Sequence, residues 1–328
     1  MITLIPPLRG GDQAKIFILA GMDRPPFRKG KKMRTKEFAG VYPYLVSPVN
    51  SRGEVMEDVL ERLVEHLIQM GVHGLTPLGS TGEFAYLTWD QRRRVVEVVL
   101  EASQGRVPVV AGVAHTSIRE AARQAGEMER MGVDGILAVM DTYFPVPPEG
   151  VAAYFRAVAE AVSCPIVLYT NPSFSGTNLS PEVIESLLST PNIRYLKDAS
   201  ANTGNLLTLM NRVGDRLKIF SASAHIPLAV MMLGGVGWMS GPACVIPGQS
   251  VRLYELTRGR QWDEAIALQK RLWSINWIFQ KYALAPCIKA CLEIQGFPVG
   301  APIPPLQPLK GAALQEIEGV LKSLQALP

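Results

Sequence analysis

Between Gly40 and Ser240 the chain alternates between two kinds of segment, and this alternation limits its fold more than any other feature. Short apolar runs rich in β-branched residues occur at Val41–Val49, His73–Leu78, Val107–Gly112, Gly135–Met140, Pro165–Tyr169, Ile193–Lys197, Leu217–Ser221 and Val236–Ser240. Between them lie stretches with helical periodicity. In Asp58–Met70, for example, Val59, Leu60, Leu63, Val64, Leu67 and Ile68 share one face at 3.6-residue spacing. Thr88 stands where an N-cap belongs, Ser180-Pro181 supplies an N-cap and a first-turn proline, and Gly71, Gly132 and Gly214 follow helices as C-terminal stops. Eight such β/α pairs within about 200 residues predict an α/β chain folded as a closed parallel (β/α)8 (TIM) barrel rather than an open doubly wound sheet.

After Ser240 the strand pattern stops. Helical patterns at Gln249–Thr257, Trp262–Phe279, Ala283–Gln295 and Ala312–Leu324 predict a C-terminal helical extension. The expected organisation is a basic, poorly ordered tail or mis-assigned start over 1–37, a barrel over 38–241 and a helical domain over 242–328. A basic recruitment arm is the functional alternative for the tail.

Charge separates the tail from the body. Residues 1–37 hold nine Lys/Arg and three acidic residues; subtracting these from the 33 basic and 29 acidic residues of the whole chain leaves 24 and 26. A slightly acidic body excludes a nucleic-acid footprint on the folded part. No apolar run approaches the roughly 18 residues of a spanning helix, so no membrane partner is expected. Cys164, Cys244, Cys287 and Cys291 have no CxxC spacing, and His66, His73, His115 and His225 match no zinc pattern. The cysteines read as small buried hydrophobes in a reducing cytoplasm, and no metal is expected.

In a (β/α)8 barrel the chemistry sits where strands end. Lys197 ends the run Ile193–Lys197, in which Ile193, Tyr195 and Lys197 alternate to one face. If that face lines the barrel, the amine stands among apolar walls, its pKa falls, and it can attack a ketone as a neutral nucleophile. A surface lysine that merely ends a strand fits the same pattern. Tyr169 ends the preceding strand, where a phenol can pass protons or simply cap the core. Gly79-Ser80-Thr81-Gly82-Glu83 can turn amides and hydroxyls toward a small carboxylate, or serve only as a tight βα turn. It lacks the length and the lysine of a nucleotide-binding loop. His115 and His225 fall in loops on the same face, as do the strand ends at Ser221 and Met239.

Taken in order, these pieces resemble the dihydrodipicolinate synthase / N-acetylneuraminate lyase family of class I aldolases. The resemblance spans roughly 40–294. It is carried by the 79–83 loop, Tyr143, the Tyr169-x-x-Pro172 turn, Ser175-Gly176, Leu196-Lys197-Asp198 and Leu233-Gly234-Gly235-x-Gly237. It implies a TIM barrel with C-terminal helices, usually a homotetramer, acting on a small-molecule 2-oxo acid without a cofactor. By the same resemblance Lys197 is the Schiff-base residue and Tyr169 the proton relay. Tyr143 completes that relay, and Ser80 and Thr81 hold the 2-oxo acid carboxylate. From their own places at strand ends and loops of the active face, Gly82, His115, Phe174, Ser221, His225 and Met239 are further candidate substrate contacts.

Two departures bear on the second reactant. Phe174 stands where the synthases of lysine biosynthesis place an arginine, and an apolar ring cannot replace a bidentate guanidinium. Asp141-Thr142-Tyr143 replaces the usual Pro-Tyr-Tyr. The expected activity is therefore aldol cleavage or condensation, or dehydration, of a 2-oxo-3-deoxy sugar acid. The alternatives are 4-hydroxy-tetrahydrodipicolinate synthesis with an altered second-substrate site, and a non-catalytic 2-oxo acid sensor.

Overall fold

Seven parallel strands form one curled sheet in the computed structural model, which describes residues 37–171, 179–200, 202–222 and 227–327. They are β1 (Gly40–Pro43), β2 (Val110–His115), β3 (Gly135–Met140), β4 (Ile166–Thr170), β5 (Ile193–Asp198), β6 (Lys218–Ser221) and β7 (Gly237–Ser240), in the order β1-β7-β6-β5-β4-β3-β2. The eighth staff of the barrel is the stretch 73–78, which joins the two free edges without a regular ladder. On one side His73 and Thr76 donate to the carbonyls of Val41 and Pro43, and Leu45 donates to Thr76. On the other, Leu75 donates to Pro108, while Val110 and Gly112 donate to Leu75 and Pro77. Bridges Tyr44–Thr76 and Leu75–Val109, both parallel, complete the closure.

The irregularity has local causes. Pro77 has no N–H to donate, and Leu78 takes a left-handed φ of 60°. The run expected at Val107–Gly112 becomes a strand only from Val110, because Pro108 and Val109 are spent on this closure. Helices pack outside the sheet, with the expected signals at work. Thr88 and Gln91 form a reciprocal capping box, Ser180 accepts from the Val183 amide, and Gly132 ends its helix at φ 104°.

Two apolar layers result. Side chains alternate along each strand, so Val41, Ile136, Leu168, Leu196 and Ile219 meet the helices, while Tyr42, Leu137, Val167, Tyr195, Phe220 and Met239 fill the barrel. The sheet carries one register slip, where Ile166 pairs with Ile193 but Val167 pairs with Tyr195. Arg194 is the extra residue, and the slip sends Ile193 to the outer layer, contrary to the simple alternation expected for it.

The interior is unusually aromatic. Phe38 stacks on Tyr195 with centroids 5.0 Å apart, its amide donates to the Tyr195 hydroxyl, and Tyr42 and Phe220 pack edge-on beside them. Such rings fit because glycines face them: a Cβ on Gly74 would lie 2.0 Å from Tyr42, and one on Gly79 would lie 2.4 Å from Tyr44. The helices Pro247–Arg258, Trp262–Tyr282, Leu284–Ile294 and Ala312–Ser323 follow β7 and share the outer apolar layer with the barrel. All four cysteines are buried and unpaired. Among the described residues no helix is long and apolar enough to cross a membrane, and no cluster of His, Cys, Asp or Glu could hold a metal ion.

Candidate active site

Tyr169 on β4 and Lys197 on β5 are register partners, so their side chains emerge next to each other at the carboxyl end of the barrel. Lys197 is 2% exposed and forms no ion pair among the described residues. Its Nζ lies 3.8 Å from the centre of the Tyr44 ring and 3.9 Å from that of Tyr169. The two rings meet nearly at right angles, with centroids 6.4 Å apart, and flank the amine on two sides. Ring faces attract an ammonium only weakly compared with the water it has lost. Burial without a counter-charge therefore holds this amine well below the usual lysine range.

The phenol beside it belongs to a short polar chain. Asn171 Nδ2 donates to the Tyr169 hydroxyl at 2.8 Å, and that hydroxyl lies 3.3 Å from Ser80 Oγ. The phenol accepts from the amide, and in the Tyr169–Ser80 pair either hydroxyl can donate to the other. Burial pushes the Tyr169 hydroxyl above its ordinary pKa, and the bonds to Ser80 and Asn171 pull part of the way back.

Ser80, Thr81 and Gly82 form a single 3-10 turn bounded by two non-glycine residues in the left-handed region, Leu78 at φ 60° and Glu83 at φ 53°. Strain on both sides of one turn persists only where the surroundings enforce it. Ser47 Oγ donates to the Gly82 carbonyl at 2.8 Å. Glu83 supplies the firmer anchor: one carboxylate oxygen accepts from the Ile303 amide and the other lies 2.6 Å from Lys289 Nζ, at an angle outside that of a hydrogen bond. Lys289 in turn donates to the Ala301 carbonyl. Thr81 Oγ1 and the Tyr44 hydroxyl are buried without a partner among the described residues. Gly241 keeps the space before Thr81 open, since a Cβ there would lie 2.7 Å from Thr81 Oγ1.

These groups surround a cavity of about 700 Å³, lined by Tyr44, Ser80, Tyr169, Asn171 and Lys197 on the barrel side and by Asn276, Phe279, Gln280, Leu284 and Leu306 from beyond it. Of the residues singled out from sequence, Lys197, Tyr169 and Ser80 are brought together here, with Thr81 and Gly82 in the turn just behind. Tyr143 is not joined to them within the chain: it is 86% exposed and packs edge-on against Phe144. His115 accepts from the Ser117 amide, Ser221 donates to the Ala222 carbonyl, and Met239 is packed inside the barrel; none of the three lines the cavity. Phe174 and His225 lie outside the described residues. Sequence reasoning missed Tyr44, which looked like one more apolar residue of the first strand. It also missed Lys289 and Asn276, which lie on helices far along the chain.

A closed parallel barrel with a buried, uncharged-capable lysine and a phenol at the mouth defines the class I aldolase type of lyase and synthase. The sequence profile of the Dihydrodipicolinate synthetase family matches residues 37–324, and the chain belongs to that family. It is 33% identical over 295 residues to the 4-hydroxy-tetrahydrodipicolinate synthase of Methanopyrus kandleri, covering 89% of this chain and 98% of the relative. Its fold is similar to that of the 4-hydroxy-tetrahydrodipicolinate synthase from Methylacidiphilum fumariolicum SolV, with a TM-score of 0.85, 27% identity, and 88% and 96% of the two chains covered. It is also similar to YagE, a prophage protein of the dihydrodipicolinic acid synthase family from E. coli K12 solved in complex with pyruvate (TM-score 0.83, 26% identity, 88% and 99% covered).

Proposed function

We propose that the protein is a lyase or synthase that joins Lys197 to a 2-oxo acid and cleaves, forms or dehydrates a 2-oxo-3-deoxy sugar acid. One observation carries this reading: the amine of Lys197 is buried without a counter-charge between two tyrosine rings, beside a phenol tied to a hydroxyl turn. Nζ attacks the C2 ketone and the carbonyl oxygen leaves as water, giving an iminium. Ser80, Thr81 and adjacent amides hold the C1 carboxylate. Tyr169 takes the proton of the C4 hydroxyl while its own passes through Ser80 to water, as the C3–C4 bond breaks; the bonding pair moves into the iminium as an enamine, and the aldehyde departs. Protonation at C3 and hydrolysis by water then release pyruvate and the free lysine. If the C3 proton is lost instead and the C4 hydroxyl leaves as water, the same iminium supports dehydration.

The relatives' name favours a second reading, synthesis of 4-hydroxy-tetrahydrodipicolinate. The cavity argues for the first. Lys197, held uncharged by burial, is the one lysine or arginine among its described lining residues, and Glu83 and Asp141 add carboxylates. The segments 172–178 and 223–226 contain neither lysine nor arginine. A second reactant bearing its own carboxylate thus meets no lysine or arginine other than Lys197 among the described lining residues. The exposed Tyr143–Phe144 pair near this end of the barrel supports a homo-oligomer, which we take to be a tetramer in the cytoplasm.

Treating intact protein with pyruvate and borohydride should add the mass of one reduced pyruvate, and Lys197→Ala should abolish the addition. An adduct that survives the substitution, or none on the parent protein, overturns the reading. Release of pyruvate from 2-oxo-3-deoxy sugar acids, against consumption of aspartate semialdehyde, separates the two activities, and tight binding without turnover identifies a sensor.

A further inference from the structure

The far wall of the cavity is built by a helix outside the barrel. In Trp262–Tyr282 the residues Asn276, Phe279 and Gln280 stand at i, i+3 and i+4, on one helix face, and all three line the cavity opposite Lys197, Ser80 and Asn171. Asn276 is only 8% exposed and its carboxamide makes no hydrogen bond among the described residues, yet its polar atoms are not sealed away, since the residue lines the cavity. A carboxamide offers two donors and an acceptor, and here they are free for a ligand in the cavity to meet. Gln280, one turn further on, is exposed and adds a second amide to the same lining.

We propose that Asn276, with Gln280, is a specificity-determining group that hydrogen-bonds hydroxyls of the substrate chain beyond C4. This deepens the function proposed above and rests on it. Pyruvate is small beside a cavity of about 700 Å³, so the amine and the hydroxyl turn account for only one end of it. The other end is furnished with uncharged amides, which both donate and accept as a sugar hydroxyl does, and with Asp141, which accepts. It has no cation from the described residues, so a distal phosphate or carboxylate finds no partner there. The ligand class is a neutral polyhydroxylated chain attached to a 2-oxo acid head.

The test uses the full-length protein and two measurements. In turnover, a 2-oxo-3-deoxyhexonate is compared with 4-hydroxy-2-oxopentanoate, which lacks the distal hydroxyls. Asn276→Leu should lower kcat/KM for the hexonate roughly a hundredfold while changing the short substrate less than about threefold, since a site built for a hydroxyl discriminates steeply. In binding, the Lys197→Ala protein, which cannot turn substrate over, should hold the hexonate more tightly than pyruvate, and adding Asn276→Leu should remove most of that difference. Equal losses on both substrates, no loss on either, or a hexonate bound no tighter than pyruvate overturns the inference. Borohydride trapping of pyruvate on the Asn276→Leu protein keeps the two claims apart. Normal trapping with unchanged discrimination sinks the distal site alone, whereas a parent protein that is never trapped sinks the imine chemistry beneath it.

Discussion

Two lysines among the described residues are almost completely buried, and their settings are opposite. Lys197 is 2% exposed, faces two tyrosine rings and has no ion-pair partner among the described residues, whereas the side chain of Lys289, 1% exposed, lies 2.6 Å from Glu83 and donates to a backbone carbonyl. Burial pushes both amines below their usual pKa, but for Lys289 the neighbouring carboxylate works against the shift, and for Lys197 nothing does. Burial alone therefore does not make a nucleophile. The missing counter-charge does, and the strand ends that bring Tyr44 and Tyr169 to the amine are what withhold it.

The largest effect that would break this contrast is on turnover. Lys197→Met should abolish 2-oxo acid adduct formation and reduce turnover by more than about a thousandfold, because no other buried amine can take its place. The same variant should unfold at an equal or higher urea concentration, since a methionine needs no solvation in that aromatic pocket. Lys289→Met should do the reverse. It leaves Glu83 as an uncompensated buried carboxylate and should cost about 3–5 kcal/mol in urea unfolding, with most of the loss recovered in Glu83→Gln/Lys289→Met. A single variant at Lys289 with unchanged stability would mean that the pair is solvated and the comparison false.

Smaller effects sharpen the contrast. Tyr169→Phe removes the hydroxyl but keeps the ring that flanks Lys197, so pyruvate should still be trapped. Turnover should nevertheless fall by roughly a hundredfold, the lower end of what a positioned proton carrier contributes. Loss of trapping would show that the hydroxyl, and not the ring, tunes the amine. The mildest signature is in stability against pH. The unfolded chain keeps the Lys197 proton up to its ordinary value of 10.5, and the folded protein gives it up at a lower pH. Parent stability should thus rise with pH between those two values. The advantage of Lys197→Met over the parent should be greatest below the folded pKa and should close as pH approaches 10.5. A pH-independent difference would contradict an amine that loses its charge on folding.

Much of this architecture is legible in the sequence because it is written in local periodicity. The eight strand segments, the capping residues at Thr88 and Ser180, and the placement of Lys197 and Tyr169 at strand ends all follow from patterns within a few residues. What escapes such patterns depends on register and on distant contacts. Ile193 moves to the outer layer because one slipped pair separates it from Tyr195. Tyr44 gains its place over the amine only when β1 closes against 73–78, and Lys289 meets Glu83 across more than two hundred residues. Asn276 reads as one polar position on a helix until that helix is seen to wall the cavity.

The aromatic floor beneath Lys197 has its own consequence. Phe38, Tyr42, Tyr195 and Phe220 fill the barrel below the amine and are all but inaccessible to solvent, so among the described residues the amine opens toward the cavity at the carboxyl end. Under the proposed chemistry, what comes and goes shares that opening. The water expelled on forming the imine has to clear before a second reactant can settle, and the two halves of a cleaved chain must leave in sequence. Obligatory order would then be a matter of plumbing, imposed by four rings that never touch the substrate.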